Sequence, residues 1–142
     1  MNDELVFHFD IDGEDFTTAG QASVQIKKNL RQLGLSSEII RRVSIAMYEG
    51  EINMVVHAHG GEADVKVSED WVEIILKDSG PGIEDIDKAM MEGFSTANDE
   101  VRSLGFGAGM GLPNMKRYTD EMEIDSVVGQ GTTVRMKVKF NQ

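Results

Sequence analysis

Gly105-Phe106-Gly107-Ala108-Gly109-Met110-Gly111-Leu112 is the stretch on which the reading of this chain turns. Glycine at every second position bares successive backbone N–H groups, with no side chain to keep a ligand at a distance. A run of this kind entering a helix turns those donors, and the helix dipole, towards phosphate. No Lys-Ser/Thr pair follows, so it is not a P-loop. A long loop rather than a strand precedes it, so it is not the dinucleotide-binding fingerprint either. Six of the fifteen glycines fall between Gly105 and Gly131, a concentration that points to a site. Residues 112–118 have helical spacing. Residues 93–109 show little periodicity and are expected to form a long, mobile, functional loop.

Three further elements flank this run. Glu49 and Asn53 stand four apart on an expected helix and share a face between two apolar sides, Ile39, Val43, Met47, Gly50 and Met54 on one and Ile45, Ile52 and Val56 on the other. A carboxylate within such a helix asks for a reason. Asp78-Ser79-Gly80-Pro81-Gly82 follows an expected strand. There a carboxylate can accept a hydrogen bond from an amino group such as adenine N6, and Gly80 and Gly82 let a base approach the backbone. Taken alone, it is also an ordinary turn. Gly129-Gln130-Gly131-Thr132-Thr133 reads by itself as a hairpin turn.

Around these motifs the periodicity predicts a strand at residues 5–11, a helix at 16–33 stopped by Gly34, and a helix capped by Ser36 or Ser37 and running to about Ala58. Hairpins are expected at residues 63–76 and 122–140, with a short helix near 86–92. The fold class this predicts is α/β (α+β): a two-layer sandwich with a mixed, mostly antiparallel sheet and helices on one face. The length of 142 residues suits a single domain.

Composition narrows the function. A net charge of −11 repels nucleic acid, so no direct nucleic-acid binding is expected, and a nucleotide site must supply local donors, a cation, or both. There is no cysteine, which excludes disulfides and thiolate metal sites. No apolar stretch suits a membrane span, and the acidic start Met1-Asn2-Asp3-Glu4 is unlike a secretory signal, so a cytoplasmic protein without membrane contact is expected. His57 and His59, with His8, invite a metal reading, but His57 falls on the site face of its helix and His59 at the helix end.

In order and spacing the four motifs resemble the boxes of the GHKL (Bergerat-fold) ATPases: Glu49-x-x-x-Asn53 the N box, Asp78-x-Gly80-x-Gly82 the G1 box, residues 105–111 the G2 box, and Gly131-Thr132 the G3 element. A small unit opening with a strand and two helices looks most like the bacterial anti-sigma-factor serine kinases, whose N box often ends in a histidine, here His57. The resemblance implies ATP/ADP as ligand, with Mg²⁺ on Asn53. It implies that Asp78 bonds adenine N6, supported by Thr132, that Ile83 lines the adenine pocket, and that His57, Gly80 and Gly82 complete it. Gly105, Gly107, Ala108, Gly109, Met110, Gly111 and Leu112 would hold the phosphates. Residues 93–104 would be the ATP lid, with Ser95, Thr96 or Arg102 reaching phosphate, and Glu49 would be the general base. The implied partners are a sigma factor and a STAS-type anti-anti-sigma protein phosphorylated on serine, with the homodimer such kinases often form. Two alternatives stay open: a nucleotide-gated binding module without phosphotransfer, and a detached histidine-kinase catalytic domain.

Overall fold

The computed structural model describes residues 4–13, 19–83, 85, 86, 90, 91 and 111–140. Among these residues, five strands and three helices follow in the order β1 (Leu5–Asp12), α1 (Gln21–Gln32), α2 (Ser37–Ala58), β2 (Gly60–Val67), β3 (Trp71–Lys77), α3 (Gly111–Arg117), β4 (Glu121–Val127) and β5 (Gly131–Lys139). The strands form one sheet in the order β1-β2-β3-β5-β4. Every described pairing is antiparallel, in keeping with the expected mixed, mostly antiparallel sheet. The connections explain this. β2–β3 and β4–β5 are hairpins, and the pair α1–α2 carries the chain down and back up, so β2 must run against β1.

Strand alternation sorts the two faces. Ala63, Val65, Val67, Val72, Ile74, Leu76, Val134, Met136 and Val138 point inward, and α2 lies over them across β1, β2, β3 and β5. The outward face is polar. Lys66, Glu73, Lys137 and Glu121 stand side by side across four strands, so each charge meets the opposite sign. Lys137 Nζ also sits 4.4 Å above the Trp71 ring. This α+β layering is the expected one: one sheet face covered by helices, the other facing water.

The helices begin and end for local reasons. Ser36 caps α2, its hydroxyl accepting the Ile39 N–H at 3.3 Å. α1 closes in a Schellman motif, with Leu35 N–H donating to Leu30 O and Gly34 N–H to Arg31 O. α1 starts at Gln21, five residues later than the spacing suggests, with residues 14–18 outside the described set. Its start is set from a distance. The Glu51 carboxylate of α2, 2% exposed, accepts the N–H groups of Gly20, Ala22 and Ser23 at 2.9–3.1 Å. The wholly buried acid of α2 is therefore Glu51, whereas Glu49 is half-buried. On the second apolar side of α2, Ile45, Ile52 and Val56 are half-buried rather than core. Arg42 bonds Tyr118 O at 3.2 Å and Asp120 at 3.3 Å, fastening α2 to the α3–β4 link.

Candidate functional site

β3 ends at Lys77, and Asp78 remains tied to β5, its N–H donating to Thr132 O at 3.0 Å. The Asp78 carboxylate accepts the Gly80 N–H at 2.9 Å and the Thr132 N–H at 3.2 Å, both on Oδ1. Two backbone donors on one oxygen fix the side chain. The other oxygen takes no hydrogen bond among the described residues and remains able to accept one.

The loop after Asp78 is clamped to the β4–β5 turn. Gly82 has φ +80°, and a Cβ there would press on the backbone of Val127 and Val128. Gly131 has φ +140°, and a Cβ there would overlap Asp78 O. Only glycine meets both demands, positive φ and backbone contact. Gly129 N–H donates to Pro81 O at 2.8 Å. The Ser126 hydroxyl accepts the Ile83 N–H at 2.7 Å and lies 2.8 Å from Thr132 Oγ1. Thr132 therefore supports Asp78 through its backbone N–H, while its hydroxyl is engaged with Ser126.

Asn53, Met54, His57 and Ala58 of α2, Leu76 and Asp78, Pro81, Gly82 and Ile83, Met115 of α3, and Thr132 and Val134 of β5 line a cavity. Apolar side chains of Met54, Leu76, Ile83, Met115 and Val134 line it together with the polar groups of Asn53, His57, Asp78 and Thr132, a composition that suits a largely apolar ring bearing a hydrogen-bond donor. Burial pushes the His57 imidazole below its ordinary 6.5, so it lines the cavity as a neutral ring at pH 7. His59 forms the left-handed C-cap of α2, and His8 lies on the opposite face of the sheet, 2.6 Å from Asp64 and 3.0 Å from Asp10. The three histidines share no site.

Glu49 lies one turn before Asn53 on α2, and its Oε2 accepts the Asn114 Nδ2–H of α3 at 2.7 Å. Gly111, the first residue of α3, packs against this turn: a Cβ on it would lie 3.7 Å from Asn53 Oδ1. The fold thus brings Asn53, His57, Asp78, Gly82, Ile83 and Thr132 to one cavity, with Gly80 holding Asp78 and Glu49 alongside. Leu112 is buried in the core, and Met115 is the α3 residue that reaches the cavity. Gly105, Gly107, Ala108, Gly109, Met110 and the expected lid at 93–104 lie outside the described residues.

Sequence reasoning passed over Ser126 and Asn114. Ser126 carried a signal, being the one polar residue in the inward series Met122, Ile124, Ser126, and it stands opposite Thr132. Asn114 carried none, because its partner is sixty-five residues away in the chain.

The profile of the histidine kinase-like ATPase domain family matches residues 15–138. The serine/threonine-protein kinase RsbT of Bacillus subtilis is 34% identical over 119 residues, covering 80% of this chain and 84% of that protein. An anti-sigma F factor of Clostridium beijerinckii is 32% identical over 126 residues, covering 84% of this chain and 85% of that protein. Among solved structures, the RsbU and RsbW domains of a Mycobacterium tuberculosis protein superpose with a TM-score of 0.64 at 17% identity. That likeness spans 94% of this chain and 31% of the mycobacterial one, and it bears on the fold alone.

Proposed function

This chain belongs to the histidine kinase-like ATPase family, in its anti-sigma ATPase-kinase branch, and we propose that it is a cytoplasmic protein that binds a sigma factor and uses ATP to phosphorylate a serine of a STAS-type anti-anti-sigma partner. The observation that carries the nucleotide part is Asp78, held by Gly80 and Thr132 at the mouth of an apolar cavity with one carboxylate oxygen still able to accept. That oxygen accepts the adenine amino hydrogen, while Ile83, Met54 and Val134 offer the base an apolar bed. The name of the anti-sigma F relatives supports a sigma-factor partner and that of the serine/threonine kinase a serine acceptor; the STAS type of that acceptor rests on the family resemblance.

Mg²⁺ fits Asn53. This side chain takes no hydrogen bond among the described residues, lines the cavity, and offers the hard oxygen ligand that Mg²⁺ prefers. Bound there, the ion would neutralise phosphate charge. The glycine run at 105–111 is read as the phosphate-holding element from its sequence alone, since a chain of that composition can offer backbone N–H groups to phosphate. Phosphoryl transfer is chiefly positioning and electrostatics, so the side chain left to act on the acceptor is the one that receives its proton. Glu49 takes the proton of the incoming serine hydroxyl. A binding module without chemistry has no use for an oriented carboxylate one turn from Asn53, and the Asn114–Glu49 bond favours the enzyme over that alternative.

Calorimetric titration of MgATP and MgADP into wild type and Asp78→Asn tests the pocket. An amide can keep the Oδ1 bonds but turns a donor towards the adenine amino group. The expected loss is about 1–3 kcal/mol of binding, roughly a factor of 5–150 in Kd. Unchanged affinity would remove Asp78 from the site. Glu49→Gln is expected to bind MgATP as the wild type does and to transfer no phosphate to a STAS-type partner. Full transfer by that variant would remove the base.

A further inference from the structure

We propose that Asn114 is a positioning residue for the Glu49 carboxylate, linking α3, the helix that follows the glycine run, to the proton-accepting group on α2. The inference rests on Glu49 being the base. Its own observation is the hydrogen bond from Asn114 Nδ2 to Glu49 Oε2, 2.7 Å long and partly buried, between side chains of two different helices.

The amide has a defined sense. Asn114 Oδ1 accepts from Arg117 Nη1 at 3.3 Å, one helical turn on, so its oxygen end faces the guanidinium and its nitrogen end faces the carboxylate. Flipping the amide would set oxygen against oxygen at Glu49 and nitrogen against nitrogen at Arg117. The bond commits Oε2 and leaves Oε1 without a hydrogen bond among the described residues, so the base has one specified oxygen for the acceptor's proton.

The choice of an amide is chemically apt. An unheld glutamate on a half-exposed turn samples several rotamers and places its oxygens in none of them reliably. A lysine or arginine at position 114 would hold it too, but would set a full positive charge beside it. A neutral N–H donor orients the carboxylate without one. Asn114 is three residues past Gly111, the last glycine of the run, and Gly111 itself packs beside Glu49 and Asn53. A shift of α3 would therefore move the donor against the base. Through this bond the position of the helix sets the aim of the carboxylate.

The test separates aim from binding. Transfer of the γ-phosphate of MgATP to a STAS-type partner is timed at saturating MgATP in wild type, Asn114→Ala and Asn114→Gln, and MgATP affinity is read by calorimetry on the same proteins. Removing the donor is expected to slow transfer about tenfold with MgATP affinity unchanged, and Asn114→Gln, which keeps an amide, to recover part of the rate. A wild-type transfer rate in Asn114→Ala overturns the proposal, and so does a loss of rate matched by a loss of MgATP affinity, which is what a merely structural residue would give. Failure of the underlying reading shows separately, as the absence of MgATP binding by the wild type or as full transfer by Glu49→Gln.

Discussion

His57 and His8 stand on opposite sides of the sheet, one in the cavity and one in water, and their surroundings act on them in opposite directions. Burial holds His57 below 6.5, while hydrogen bonds to the carboxylates of Asp64 and then Asp10 raise His8 above it. As pH falls below 6.5 the unfolded chain protonates His57 before the folded one does, so the His57 contribution to stability declines through its folded midpoint. The His8 contribution has the other sign: it is fully present below 6.5 and fades as pH rises through the raised folded midpoint. Proton NMR titration of the ring resonances is expected to place the His57 midpoint below 6.5 and the His8 midpoint above it. Coincident midpoints would contradict the burial of His57. Saturating MgADP should lower the His57 midpoint further by excluding water from the cavity, and should leave His8 alone. Of the residues that line the cavity, Asp78, Asn53 and Thr132 were legible because each lies in a short motif whose spacing has a local cause. The division of labour between them was not. Thr132 gives Asp78 its backbone N–H and Ser126 its hydroxyl, a distinction set by strand register.

At the scale of elements, α2 organises the protein. It covers the sheet, carries Glu49, Asn53 and His57, and reaches back with Glu51 to begin α1. Glu51→Ala would leave three backbone donors at the α1 start without a partner in a dry setting. The expected cost is about 3 kcal/mol or somewhat more, since a lost charge-assisted bond and each stranded donor contribute. Urea unfolding should show it as a lower midpoint with an unchanged slope. A variant as stable as the wild type would mean that water or the preceding residues can replace the carboxylate. This contact also explains the clearest miss in the element boundaries. Helical spacing continues upstream of Gly20, yet α1 begins at Gln21, because Gly20 is left-handed at φ +98° and its N–H points at Glu51. The hairpins, the Ser36 cap and the Gly34 stop were all legible, each being written in neighbouring residues. A cap supplied from thirty-one residues away leaves no local trace.

For the whole molecule, charge and topology matter most. A net charge of −11 opposes an anionic nucleotide at long range, whatever donors the site provides at contact. Raising ionic strength from about 10 to about 150 mM shortens the screening length from about 30 to about 8 Å, so association of metal-free ADP should quicken over that interval. Stopped-flow measurement with a fluorescent ADP analogue would read this directly, and a slowing would show that a local positive field outweighs the net charge. The sheet order β1-β2-β3-β5-β4 was not legible, since periodicity predicts strands but not their neighbours. That order has a consequence in time. β5, the last strand to be synthesised among those described, takes the interior place between β3 and β4, and it brings Thr132 and Val134 to the cavity wall. Until those residues leave the ribosome, β3 keeps a bare edge and Asp78 lacks its second donor. A nascent or truncated chain short of β5 thus has no pocket to fill, and nucleotide binding becomes a certificate that translation has run past it.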